Sequence, residues 1–409
     1  MARITIVTTG HPSTSPRVVR EADALAAAGH EVTVTGVWLD AQHAEWDLAL
    51  VASRGWRFVP AADLRSTSKR SHAARLAARA RTRVARSRMT LGLGANRHAL
   101  GYAVDALHAV VRRERPALHV LHLEPALALG ETLLAQGARV MLDIEDWYSR
   151  ITPAGAMPEA LRAEVERLER VVFPAAHATT TTSHALSQAL ASYAGMTPPA
   201  VVYNGVAAGD APRAAMPADG PLRLVWFSQT VAPGRGLELV AEALAPLGDA
   251  WTLTVIGAAD EARRAWLRGL FAPSVGARLL HLPKVAPEEL GALVAAHHVG
   301  LALETGATPN LELTVSNKIC HYLQCGLAVA ATDTAGQREV MALVPEAGAV
   351  VDRTNAASLR SALERWMAAH SALMAGIDAR RSAAHATLAA DAQAARIAAA
   401  AERALGTSR

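Results

Sequence analysis

With 409 residues, 51% of them hydrophobic, the chain is too long for one ordinary core and fits two domains of about 200 residues each. No run approaches the roughly 18 uninterrupted apolar residues that a membrane span needs, and the formal net charge of +4 is mild. The two cysteines, Cys320 and Cys325, sit five apart on an expected helix, badly placed for a disulfide; they read as small buried residues rather than metal ligands, in a reducing cytosol.

Met-Ala-Arg leads straight into Ile4-Thr5-Ile6-Val7, which reads as a first strand and not as a cleavable leader. Strands are expected over Arg3–Thr8, the first, and over Glu31–Val37, Leu118–Leu123, Arg139–Ile144, Ala178–Thr182 and Val201–Tyr203. The pattern restarts with Leu222–Phe227, Thr252–Ile256, Arg278–Leu282, Val299–Leu303, Leu327–Ala331 and Ala349–Val351. Helices intervene, among them Arg17–Ala28, Ala99–Arg115, Leu237–Leu247 and Pro287–Ala296. Alternation at this spacing predicts parallel sheets covered on both faces. Residues 207–221, rich in Ala, Pro, Gly and Asp, read as a linker between an N-terminal domain, 1–206, and a second domain, 222–370. The helical segment 371–409 could cross back to the first domain. Ligands of such sheets bind outside the carboxyl ends of the strands, so the expected site is the cleft between the domains.

Charge is unevenly placed. Ten Lys/Arg lie between Arg65 and Arg97, and no Asp or Glu stands between Asp63 and Asp105. Leu76, Ala80 and Val84 fall four apart beside a stripe of Arg75, Arg79 and Arg83, the pattern of a basic amphipathic helix. A solvated arginine face would look the same; contact with an anionic membrane surface is favoured because acidic residues are missing. Nucleic acid is disfavoured, since the run holds no aromatic residue for stacking.

Several clusters carry candidate chemistry. The first strand runs into Thr9-Gly10-His11-Pro12-Ser13-Thr14-Ser15-Pro16-Arg17, which lacks the three glycines of a dinucleotide fingerprint; Arg17 could contact substrate near a helix start or simply be solvated. Glu145-Asp146-Trp147-Tyr148, after a strand, offers carboxylates for sugar hydroxyls and aromatic faces for a pyranose, the alternative being a helix cap by Asp146 with a buried Trp147. In the second domain Gln229 precedes Gly234-Arg235-Gly236, a candidate diphosphate cradle. Glu304 ends a strand, and Ser316-Asn317-Lys318 opens a capped helix closed by Gly326, with His321 one turn on as a candidate for a ribose or sugar hydroxyl. Lysine is otherwise confined to Lys69 and Lys284, so Lys318 stands out in an arginine-rich chain.

Together these stretches, with Ala28-Gly29-His30, Val202-Tyr203-Asn204-Gly205-Val206, Arg235-Gly236-Leu237-Glu238 and Thr332-Asp333, resemble in order the retaining GT-B glycosyltransferases, most closely family 4, the group 1 glycosyltransferases of bacterial polysaccharide assembly. The resemblance implies two Rossmann-like domains, an acceptor site on the first and a nucleotide-sugar site on the second. It also implies transfer from a UDP- or GDP-type donor to a saccharide or lipid-linked acceptor, with retention and without metal or other cofactor. The setting it implies is cell-envelope polysaccharide or lipopolysaccharide synthesis, in the cytoplasm or on the inner face of its membrane. Glu145, Asp146, Arg235 and Lys318 then take catalytic roles; Arg17, Trp147, Gln229, Gly236, Glu304, Ser316, Asn317 and His321 take binding roles. Three departures stand out. Aligning on Gly326 puts Leu313 and His321 where the family has two glutamates eight apart, while Glu304 and Glu312 show that spacing nine residues earlier. Gln229 lies near the position of an expected arginine, and Glu145 takes the place of a first-domain histidine. A non-catalytic GT-B-like protein that binds nucleotide or glycan is the competing reading.

Overall fold

The computed structural model describes residues 1–94, 96–214, 216–217 and 219–406. Ala215 and Ala218 of the expected linker, Ala95 of the basic stretch and residues 407–409 of the terminal segment lie outside them. The chain divides into two compact units: Met1–Val202 with Thr308–Asn310 and the chain from Ala394 onward, and Tyr203–Ala307 with Leu311–Gln393.

The first unit holds seven parallel strands, β1 (Arg3–Val7), β2 (Glu31–Trp38), β3 (Arg57–Asp63), β4 (Leu118–His122), β5 (Val140–Ile144), β6 (Ala178–Thr181) and β7 (Ala200–Val201), in the order β3-β2-β1-β4-β5-β6-β7. The second holds β8 (Leu222–Thr230), β9 (Trp251–Ala258), β10 (Leu279–Leu282), β11 (Val299–Ala302), β12 (Ala328–Thr332) and β13 (Gly348–Val351), in the order β10-β9-β8-β11-β12-β13. Both are doubly wound, Rossmann-like α/β sheets in which the strand order reverses once, between β1 and β4 and between β8 and β11. The carboxyl ends of those strand pairs are where such sheets bind ligands.

All strands read from the sequence are present, but β3 is an addition. Pro60 interrupts Arg57–Asp63, and a proline is tolerated in a strand only at an edge, where its missing N–H breaks no ladder. β3 is that edge, and its register with β2 slips between Gly36 and Val37. The helix expected over Ala99–Arg115 begins only at Val104, after a short turn at Arg97–Ala99 and a left-handed Ala103.

The first core gathers Ile4, Ile6, Leu25, Val34, Leu118, Val120 and Met141, all at most 2% exposed, and includes Ile397, Ala400, Ala401 and Ala404 of the helix Ala390–Leu405. The small alanine face lets that helix lie close on the sheet. The second core is built on Trp226, Leu237, Leu244, Trp251, Leu253, Leu301 and Leu363.

Candidate functional site

In the second unit the sheet's reversal brings the ends of β8 and β11 side by side, and the polar residues collect there. Glu304 follows β11, and its carboxylate accepts from Lys318 Nζ at 2.7 Å, with both side chains largely shielded from solvent. Burial raises the Glu304 carboxyl, but the Lys318 ammonium outweighs it and holds the group below the ordinary range. The same ammonium lies 5.6 Å from the ring centroid of Trp226, a fully buried residue that anchors β8. Lys318 thus sits above an indole and beside a carboxylate, in the first turn of the helix Asn317–Cys325. Ser316 occupies the cap position, yet its hydroxyl makes no capping bond, so this helix start is not closed by its own side chain. Asn317 is exposed at the first helical position, and Gly326 ends the helix with φ +84°.

Arg235 is exposed on the loop after β8 and donates from Nη1 to Ser228 Oγ at 3.1 Å. Gln229, also exposed, is the last residue but one of β8. One donor of the expected cradle is already used: Gly234 N–H donates to Glu238 Oε1 at 2.8 Å. Gly236 caps the helix Leu237–Leu244 in a left-handed conformation, and a Cβ there would stand 2.5 Å from Leu303 Cβ. Gly236→Ala is therefore expected to cost about 1–3 kcal/mol in a denaturant titration and to displace Arg235. Unaltered stability would show that the loop relaxes without cost.

His321 does not lie open to a ligand as expected. It is 4% exposed, packs edge-on to Phe227 at 5.8 Å, and burial pushes its pKa down to about 4, so the ring is neutral. Its Nε2 is buried without a hydrogen-bond partner. Glu312, at glutamate spacing from Glu304, accepts from Arg353 and from Ala335 N at 3.1 Å, an internal strap on the second unit.

In the first unit Arg17, expected near a substrate, lies in a buried ion pair. It is 2% exposed; Nε and Nη2 each donate to Asp143 at 2.5 Å, and Nη1 donates to Val202 O at 2.7 Å. His122 Nε2 lies 2.8 Å from Glu21 Oε2 in the same buried network; burial opposes the charged ring, but Glu21 raises its pKa. Tyr148 is also buried and donates to Asp143 O at 3.3 Å, so its phenol is not offered to a sugar. Asp146 caps no helix; it accepts from Asn310 Nδ2 at 2.7 Å, and Asn310 Oδ1 accepts from Trp147 N at 2.7 Å. Trp147 is half-buried against Tyr193, with ring centroids 5.0 Å apart. Sequence offered no sign of Asn310 or Trp226 in these roles, because each meets its partner, Asp146 and Lys318, across chain that is distant in sequence.

Glu145 has its carboxyl pushed up to about 7, first by burial and then by the charges of Asp146 and Asp143. The folded chain therefore keeps a proton that the unfolded chain loses above its ordinary value of 4.5. This contribution to stability is complete at low pH and falls as pH rises through 4.5 to about 7. Buried His119 and His321, lowered to about 4 by burial, act in the opposite sense between there and 6.5. The Glu145→Gln variant isolates the carboxyl: its stability relative to the unaltered chain should rise across that window and level off above it. A flat difference between pH 5 and pH 8 in paired denaturant titrations would remove the assignment.

Among the described residues two trios bring one ligand-type atom from each member within 4.8 Å of the others, His11/Asp40/His43 and Glu21/His122/Asp143. In the first, His11 Nδ1 is 2.6 Å from Asp47 and Nε2 accepts from Leu39 N at 2.8 Å, so both ring nitrogens are already bonded.

Residues 221–369 match the family described as Glycosyl transferases group 1. No curated protein matches the chain. Among solved structures it is similar to sucrose-phosphate synthase from Thermosynechococcus elongatus, with 15% identity and a TM-score of 0.73 over 100% of both chains. It is similar to HepE from Anabaena in complex with UDP and glucose, with 14% identity and a TM-score of 0.68 over 98% of this chain and 99% of that one. A glycosyltransferase from Rickettsia africae gives 11% identity and a TM-score of 0.67 over 99% of each. At these identities the likeness establishes the fold, two Rossmann-like domains of GT-B architecture.

Proposed function

We propose that the chain is a glycosyltransferase that moves a sugar from a nucleoside-diphosphate donor to a saccharide or lipid-linked acceptor. The observation that carries this reading is the Lys318–Glu304 pair beside an uncapped helix start, at the point where the second sheet reverses its strand order. HepE, of similar fold, was solved with UDP and glucose, which supports a UDP-type donor; GDP is the other base to test.

The reaction proposed is retaining and needs no metal. The bond between the anomeric carbon and the phosphate oxygen breaks, and the nucleoside diphosphate leaves with its electron pair. Lys318, Arg235 and the helix N-terminus stabilise that charge, an electrostatic effect worth several kcal/mol in such sites. The acceptor hydroxyl attacks on the same face, and its proton passes to the leaving phosphate oxygen. Glu304, Ser316, Asn317, Gln229 and Gly236 hold the donor; in the first unit Glu145 and Asp146 bind sugar hydroxyls, with Trp147 as an apolar wall. Among the described residues no helix is long and apolar enough to cross a membrane. The proposed setting is cell-envelope polysaccharide synthesis in the cytoplasm, with the basic stretch Arg65–Arg97 toward the inner membrane face.

One observation favours a second reading, a nucleotide- or glycan-binding protein without turnover. His321, where the family resemblance expects a glutamate, is buried and neutral. Calorimetry with UDP, GDP, ADP and CMP, followed by donor turnover with and without acceptor saccharides, separates the two. One preferred diphosphate with turnover supports the transferase; binding without turnover supports the second reading, and no binding at all overturns both nucleotide assignments.

A further inference from the structure

The helix Lys69–Thr90 carries seven arginines and one lysine and has no acidic residue in its first turn. The flanking cations are ion-paired, Arg65 with Asp63 and Arg97 with Asp105, whereas among the described residues none of the helix's own cations has such a partner. Arg79, Arg83 and Arg86, at i, i+4 and i+7, share one face of the helix. Together with Thr82, Ser87 and Tyr102 they line a cavity of about 470 Å³. Its wall is fixed: Thr82 Oγ1 donates to Gly101 O at 3.4 Å, and Arg86 Nε donates to Ala99 O at 3.1 Å. Three guanidinium groups and a half-exposed phenol converging on one pocket form a donor set suited to phosphate oxygens.

Beside the pocket the surface is apolar. Leu76, one turn before Arg79 and Ala80, and Val84 are both more than half exposed, as are Leu91 and Leu93 just beyond the helix. Such residues around a cationic pocket match a membrane surface, where phosphate lies at the headgroup level and apolar side chains enter the boundary beneath it. We propose that this pocket binds the phosphate of an anionic lipid headgroup and seats the chain on the membrane through Leu76, Val84, Leu91 and Leu93. Diffuse attraction by a basic helix would need no pocket; here Arg79 and Arg83 act as a site, while Arg70 and Arg81, on the opposite side of the helix, do not. The proposal is independent of sugar transfer.

Co-sedimentation of the full chain with vesicles tests it, using phosphatidylcholine alone and phosphatidylcholine with phosphatidylglycerol. Partition is expected only with the anionic lipid. Arg79→Glu/Arg83→Glu should lower it on the order of tenfold or more, and Arg70→Glu/Arg81→Glu, an equal change of charge, far less. Matching thermal unfolding midpoints show that both variants fold. Equal losses in the two variants overturn the site, as does equal partition onto phosphatidylcholine alone. Tight calorimetric binding of inorganic phosphate or glycerol phosphate without vesicle partition overturns the lipid in favour of a soluble phosphate ligand. Retention on single-stranded DNA but not on vesicles overturns it as well.

Discussion

Lys318→Ala is expected to lower turnover about a hundredfold while leaving the fold unchanged, the usual loss when one donor to a developing oxyanion is removed. Its ammonium stands 2.7 Å from Glu304 and over the Trp226 ring, so it is pre-oriented and moves little when a diphosphate arrives. Two effects would be mixed in the single variant. The charge on the leaving group loses its partner, and Glu304 becomes an unpaired, partly buried carboxylate that repels the donor. The double variant Lys318→Ala/Glu304→Gln, compared with Glu304→Gln alone because Glu304 also holds the donor, separates them. If Lys318 acts on the phosphate, the double variant stays as slow as the single one; if the loss comes from the bared carboxylate, turnover returns. Recovery to near the unaltered rate would take Lys318 out of the mechanism, leaving it as the partner that keeps Glu304 ionised.

Arg17→Met should destabilise the chain by about 3–5 kcal/mol, because it leaves Asp143 as a buried charge without its compensating cation. The pair is bidentate and closed to solvent, and Asp143 also accepts from Thr180 Oγ1 at 2.8 Å. Replacing both members, as in Arg17→Met/Asp143→Leu, should restore part of the loss, since an apolar pair avoids desolvating the two charges but leaves Val202 O and Thr180 Oγ1 without their partners. Urea denaturation reads both outcomes. Calorimetry on the folded protein adds the discriminating measurement: nucleotide affinity should be unaffected by Arg17→Met at temperatures where it stays folded. A variant of full stability and weakened ligand affinity would return Arg17 to the substrate-contact role that its position at a helix start first implied.

The catalytic candidates were legible to different depths. Lys318 could be picked out because lysine is so rare in this chain and because a helix start and a closing glycine bracket it. Arg17 and His321 are buried for a common reason. Both lie on helix turns that follow strand ends, the right address for ligand contact, but the side of the helix that faces the sheet is set by packing. Arg17 turns inward to Asp143, 126 residues away in the chain, and His321 turns inward against Phe227. Asn310 was invisible because a lone polar residue in a short helical turn carries no pattern, and its value comes from the carboxylate of Asp146.

Local pattern alone determined that the chain is built of alternating strands and helices in two parallel sheets. A buried parallel strand must be a short apolar run, and the helix that returns the chain must follow it. It also determined the helix end at Gly326, where left-handed backbone leaves little choice of residue. Only the tertiary structure decided that Arg57–Asp63 is a strand, since a proline-bearing segment becomes one only if a neighbour such as β2 offers it an edge. Likewise it decided which charges pair. Asp143 with Arg17, Glu304 with Lys318, and the arginines of Lys69–Thr90, which have no carboxylate partner among the described residues, have similar chemistry in the sequence. They differ only in what the fold sets beside them and in how much water it leaves there.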